Sequence, residues 1–244
     1  MLKSPYLGGK VDFLIRLEKL MTRLRSKKGC PWDRRQTHKS LKPYLLEESH
    51  EVLEAIDGGD PDLLKEELGD LLLQVVFHAQ LAKEKEHFNL QDVAKTIGDK
   101  LIHRHPHVFG KGASRKISDI NRKWEELKRQ EKPERKSALD GLPQSLPALL
   151  RAQRMHEKIT KRTPRTGDKR LEKKLEKAWK DFRKSLKGSK NEKERTAGEF
   201  LLAFAQLAHS NGIHSEMVLR SATSKFEKKF REIETKENKP KPGQ

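Results

Sequence analysis

Apolar residues recur at three- and four-residue intervals along most of the chain, the period of a helix with one buried face. Between Asp12 and Arg25, one face collects Phe13, Leu14, Leu17, Leu20, Met21 and Leu24, which predicts an amphipathic helix forming a bundle wall. At 100° per residue the next helix carries a stripe of Leu41, Tyr44, Leu45, Val52, Ala55 and Ile56. Glu48 falls in the middle of that stripe and Glu51 at its edge. After the turn Asp57-Gly58-Gly59-Asp60-Pro61 comes a helix that is apolar nearly all round, from Leu68 through Leu71, Leu72, Leu73, Val75, Val76 and Phe77. Glu67, Asp70 and Gln74 are confined to one narrow strip of it, and the tight turn folds the two helices antiparallel. A fourth helix begins near Asn89, a capping residue, with Asp92 in its first turn. Its inward stripe of Leu90, Val93, Ile97 and Leu101 also holds Lys100 and Arg104. Ile117 to Gln130 forms another helix, with Trp124 and Lys128 on one face at i, i+4.

Ser137 to Pro147, with two prolines and Gly141, breaks the pattern before helical spacing resumes at Ala148. The expected class is all-α, with two tandem units that each contribute to a four-helix-bundle-type core. The expected division is 1–135, a linker at 136–150, and 151–244. With 33% hydrophobic and 37% charged residues, the chain has the composition of exposed amphipathic helices. One cysteine, Cys30, excludes an internal disulfide framework, no stretch has the roughly 18 apolar residues of a membrane span, and no signal peptide is apparent. The expectation is a cytoplasmic protein without a membrane partner.

The net charge of +18 is uneven: residues 1–140 carry 28 Lys and Arg against 23 Asp and Glu, and residues 141–244 carry 26 against 13. Residues 161–190 alone hold 13 basic and 4 acidic side chains, a density that suits nucleic acid or another polyanion as well as a solvated helix face.

Burying four or five carboxylates together costs many kcal/mol or forces protonation unless a cation joins them. Oxygen ligands at i, i+3 and i, i+4 suit Mg²⁺, with Mn²⁺ as substitute, and Mg²⁺ works alongside substrate phosphates. Lys100 and Arg104 add cations that can take those phosphates, Arg104 in bidentate fashion; the alternatives are snorkelling or a plain ion pair. Trp124 and Lys128 can hold a base and a phosphate, or form an ordinary core edge. The run His103, His105, His107 straddles a proline turn and makes a poor zinc site. A di-iron bundle needs Glu-x-x-His on two helices, and although Glu47–His50 and Glu84–His87 have the spacing, His50 points away from the apolar stripe and His87 sits in a charged loop.

Several phrases together resemble the MazG family of all-α nucleoside triphosphate pyrophosphohydrolases: Cys30-Pro31-Trp32-Asp33 followed by Gln36-Thr37-His38, the spacing Glu47-Glu48-x-x-Glu51, Glu67-x-x-Asp70, and Arg104-His105-Pro106-His107-Val108-Phe109-Gly110, with His103 where Arg is more usual. The resemblance covers residues 10–155 and, more loosely, 156–235. It implies a dimeric helical bundle that cleaves an NTP or dNTP to the monophosphate and pyrophosphate with Mg²⁺. By position, Glu48, Glu51, Glu67 and Asp70 are then metal ligands, and Glu47 is a further candidate for metal or water. Either Glu47 or Glu48 is the catalytic base. Lys100, Arg104 and Lys128 meet phosphate, with Lys100 and Arg104 counted among the catalytic groups, and Trp124 and Trp32 meet the nucleotide. The all-round apolar helix also calls for a homodimer, or for pairing with the second half of the same chain.

Gly69-Asp70-Leu71-Leu72-Leu73 has a partner in Gly198-Glu199-Phe200-Leu201-Leu202, so the halves read as two copies of one unit. Glu67 aligns with Thr196 and Asp70 with Glu199, while Glu47, Glu48 and Glu51 fall against Lys180, Asp181 and Lys184. Lysines in place of ligands make the second copy a degenerate one. The alternative function is a weakened scaffold whose basic second half binds a polyanion or nucleic acid.

Overall fold

A computed structural model describes residues 13–110, 116–161 and 168–237; Asp12 and residues 162–167, which belong to stretches singled out above, lie outside them. Among the described residues the secondary structure is helical throughout, no strand is present, and no helix is long and apolar enough to cross a membrane. The chain divides into two compact units, Met1–Glu131 and Lys132–Gln244.

The first unit runs α1 (Phe13–Arg25), α2 (Pro31–Arg35), α3 (Lys42–Gly58), α4 (Pro61–Lys83), α5 (Leu90–Arg104), α6 (Pro106–Phe109) and α7 (Ile117–Gln130). Its core lies at one end, where Met21, Leu41, Val76, Phe77, Ala79, Leu81 and Leu90 pack together with Leu17, Leu73 and Val93 around them. The α3–α4 turn is fixed by local chemistry. Gly59 takes the left-handed conformation at φ 71° and returns its N–H to the Ala55 carbonyl, a position glycine enters without steric cost. Asp60 then caps α4 by accepting from the Asp62 and Leu63 amides, with Pro61 at the first helical position. At Asn89 and Asp92 the reciprocal capping box forms.

The segment around Trp32 contains α2, begun by Pro31 with Asp33 in its first turn. Arg25 ties it down. The Arg25 side chain, 7% exposed, makes a fork to Glu84, Nε to Oε1 and Nη2 to Oε2 both at 2.7 Å. It also donates to the carbonyls of Asp33 and Gln36 and lies over the Phe77 ring at 5.5 Å. The Arg25 hydrogen bond is the main reason the Glu84 carboxyl titrates below its ordinary range.

Away from the core end, the apolar stripes stay partly uncovered. Leu68, Leu72 and Val75 on α4 and Ile97 and Leu101 on α5 are exposed, and Phe13, Leu14, Leu17 and Leu20 of α1 line an open apolar groove with Leu72 and Arg16.

The second unit runs α8 (Ala148–Thr160), α9 (Asp168–Ser185), α10 (Lys190–Ser210) and α11 (Ser215–Glu237). Gln153, 4% exposed, joins three of these elements: its carbonyl oxygen accepts from the Ser215 amide, and its nitrogen lies 3.4 and 3.3 Å from Nδ1 of His209 and His214. The proline-rich stretch before α8 is held by Lys158, which donates to the carbonyls of Ala138 and Asp140.

Candidate active site

The site is built on the α3–α4 hairpin. Because α3 and α4 run antiparallel and each presents acids at i, i+3, Glu48 and Glu51 of one meet Glu67 and Asp70 of the other. One carboxylate oxygen from each of Glu48, Glu67 and Asp70 lies within 4.8 Å of the other two, and all three side chains are half-buried. Ligands on opposite sides of one Mg²⁺ stand about 4 Å apart, so that span is close to what one ion needs. Glu51 is exposed beside them. Its charge reaches both Glu48 and Glu67.

The acids repel one another. Burial first, then the charges of Asp70 and Glu51, push the Glu48 carboxyl above its ordinary pKa, and burial followed by Glu51 and Asp70 does the same to Glu67. Gln74, one turn further along α4, donates to Glu48 Oε1 at 3.5 Å, while its own Oε1 is buried without a hydrogen-bond partner. An orphaned buried oxygen beside clustered carboxylates wants a donor such as a metal's water. Excess negative charge and a spare acceptor thus both fit a hydrated divalent cation. Glu47, one position round α3 from Glu48, is exposed, and among the described residues no contact joins it to the cluster.

The cations form a second group on α5 and α7. Arg104 forks onto Glu131, Nε to Oε1 at 2.9 Å and Nη2 to Oε2, and its guanidinium lies 5.5 Å from the centre of the Trp124 ring. His105 meets the same ring edge-on at 4.9 Å. The Arg104 hydrogen bond is the largest cause holding the Glu131 carboxyl below its ordinary range, with Arg104, His103 and Lys100 adding their charge. Lys100 and Lys128 are exposed. Trp32, also exposed, packs edge-on against Tyr44 at 5.8 Å. Among the described residues, no hydrogen bond, ion pair or ring contact joins the Arg104–Trp124 group to the carboxylates. Glu131 was not anticipated from the sequence: it stands in a mixed run of charges just past the end of α7, and nothing local marks it as the partner of a residue on α5.

In the second unit the facing positions are filled differently. Leu41, Leu45, Glu48, Val52 and Ala55 set the inward spacing of α3, and Leu171, Leu175, Ala178, Phe182 and Ser185 repeat it on α9. Across the α9–α10 interface Ser185 Oγ bonds Thr196 Oγ1 at 2.7 Å and Lys174 Nζ donates to Gln206 at 2.8 Å. Trp179, Phe182 and Phe200 pack ring against ring. On spacing alone the inward pattern also admits a register three residues from the sequence alignment, with Ala178 opposite Glu48, Asp181 opposite Glu51 and Lys177 opposite Glu47. Lys180 and Lys184, expected at ligand positions, are exposed on the outer face of α9. Periods of three and four leave a one-turn shift nearly costless in apolar pattern, and in either register α9 carries lysine in place of one or two of the three α3 acids. Of the counterpart acids, Glu199 is paired with Arg195.

The sequence pattern of the MazG nucleotide pyrophosphohydrolase domain matches residues 36–109, the stretch that contains Glu47, Glu48, Glu51, Glu67 and Asp70. The chain is 42% identical over 226 residues to the nucleoside triphosphate pyrophosphohydrolase/pyrophosphatase MazG of Thermotoga maritima, covering 89% of this chain and 84% of that one. It is 42% identical over 232 residues to the nucleoside triphosphate pyrophosphohydrolase of Escherichia coli strain K12, covering 90% and 86%. An all-α hairpin of facing carboxylates and a likeness that runs through nearly the whole chain lead to one conclusion: this protein belongs to the MazG family.

Proposed function

We propose that the protein hydrolyses nucleoside triphosphates to the monophosphate and pyrophosphate, with Mg²⁺, or Mn²⁺ in its stead, held by Glu48, Glu51, Glu67 and Asp70. The observation that carries this reading is the convergence of three carboxylates from two helices beside the orphaned Gln74 oxygen. When bound, the cation polarises the reacting phosphate and acidifies a coordinated water. Glu48, at the centre of the inward stripe of α3, takes the proton from the attacking water, and the exposed Glu47 is the alternative base. Lys100, Arg104 and Lys128 offset the charge that develops on the leaving pyrophosphate. Trp124 and Trp32 supply flat surfaces for the base.

Homodimerisation belongs to the proposal. Leu68, Leu72, Val75, Ile97 and Leu101 leave apolar surface on two helices of the first unit, and a second copy could cover it while adding cations near the carboxylates. The proposed setting is the cytoplasm, where nucleoside triphosphates are abundant. Pyrophosphate release measured across the common NTPs and dNTPs, with and without Mg²⁺, tests the activity. Absence of release from every nucleotide in the presence of Mg²⁺ overturns it.

A further inference from the structure

On α9 the inward face is apolar and the opposite face is a line of lysines. Lys169, Lys173, Lys177, Lys180 and Lys184 follow at intervals of four, four, three and four residues, so they share one stripe at 100° per residue. All five are exposed. Among the described residues none of the five forms a salt bridge, although Glu172, Glu176 and Asp181 stand three or four residues from them, whereas Lys95 with Asp99, Arg195 with Glu199 and Arg231 with Glu227 are exposed pairs formed at that spacing. Like charges at i, i+4 weaken a helix. A merely solvated face would be more stable with mixed signs, as on those other helices. Lys180 and Lys184 lie on the side of α9 away from α10, so neither takes part in the α9–α10 seam.

The stripe runs about 22 Å, with steps of about 6 and 4.5 Å along the helix axis. Along the duplex axis each strand presents a phosphate about every 3.4 Å, and because the strands wind round that axis their phosphates stand farther apart through space, so lysines about one α-helical turn apart can meet separate phosphates where the stripe crosses the backbones. Lysine ammoniums act as point charges. The stripe contains no arginine fork, Asn or Gln to read base edges and no aromatic ring to stack on an unpaired base. We propose that this face of α9 docks on the phosphate backbone of double-stranded nucleic acid without reading its sequence.

Fluorescence anisotropy of the full-length protein with two unrelated 24-base-pair duplexes tests this. The expected result is equal affinity for both, falling with salt at a log–log slope of about −4 to −5, the release of counterions from about five phosphates. Replacing Lys173, Lys177 and Lys180 together by Glu is expected to weaken binding at least tenfold while helical content by circular dichroism and NTP hydrolysis stay unchanged. The same charge change at Lys225, Lys228 and Lys229 of α11 is expected to alter affinity less than threefold, which separates the stripe from overall charge. No binding in 50 mM salt, an equal loss in the α11 variant, or a preference for anionic vesicles or inorganic polyphosphate with the duplexes left unbound would each overturn the proposal.

Discussion

His38 Nδ1 and His78 Nδ1 lie 2.8 Å apart, with ring planes 1° from parallel and centroids 5.0 Å from one another. With nitrogens so close and centroids so far apart, the rings meet nitrogen to nitrogen, and one proton must lie between them: one imidazole donates and the other accepts. Two imidazolium rings could not share that contact. It fastens the segment after α2 to α4, on a helix that carries two of the site's acids.

Burial first, and the neighbouring His38 second, lower the pKa of His78 below 6.5. A folded state that binds protons less readily than the unfolded chain loses stability as pH falls from 6.5 toward the lowered value, and the contribution is fully present above 6.5. Thermal unfolding between pH 7.5 and 5 should therefore show a drop that His78→Phe flattens, and ¹⁵N NMR should place His78 titration below that of free imidazole. A His78 titrating at or above 6.5 contradicts the arrangement.

Glu48→Gln should abolish turnover, by a hundredfold or more, yet raise the melting temperature without metal, since it removes one of several mutually repelling acids. Added Mg²⁺ should stabilise the native protein and leave the variant nearly unmoved. A variant that melts lower than the parent in EDTA, or that still responds fully to Mg²⁺, argues against Glu48 as a ligand.

Trp124→Ala should raise KM more than it lowers kcat, because contacts to a base are made equally in the ground and transition states. Glu131→Gln should act in the opposite sense. Once the carboxylate that occupies Arg104 is neutralised, the guanidinium is freer for phosphate and KM should fall severalfold. Steady-state kinetics on both variants decide it, and an unchanged KM in Glu131→Gln removes Arg104 from the substrate contacts.

Arg25→Met keeps much of the side chain's volume but leaves Glu84 and the carbonyls of Asp33 and Gln36 without their donor. Only the Arg25 side chain of the pair is buried and Glu84 is exposed, so the loss costs about 1 to 2 kcal/mol. The variant should melt lower and be cut by protease between α1 and α3 sooner than the parent. Equal proteolysis rates would show that α2 is held by something else.

The hairpin was readable because everything that makes it is local: the Gly59 and Asp60 caps, and acids repeating at i, i+3 within otherwise apolar stripes. Gln74 was legible in the same way, as part of the narrow polar strip of α4. What stayed hidden depends on distant pairings. Arg25 with Glu84, Arg104 with Glu131 and His38 with His78 each join residues 27 to 59 positions apart, and a helical period says which way a side chain points without saying what it meets. The Ser185–Thr196 contact stayed hidden for a related reason, since the two bond through hydroxyls that carry no charge pattern.

The hydroxyl pair and the three packed rings between α9 and α10 have a thermodynamic consequence. A hairpin lined with carboxylates changes its stability with every change in available cation or proton, whereas the contacts of Ser185, Thr196, Phe182 and Phe200 set no carboxylate against another. The cations and protons that tune the α3–α4 hairpin therefore have little to act on where those four residues meet.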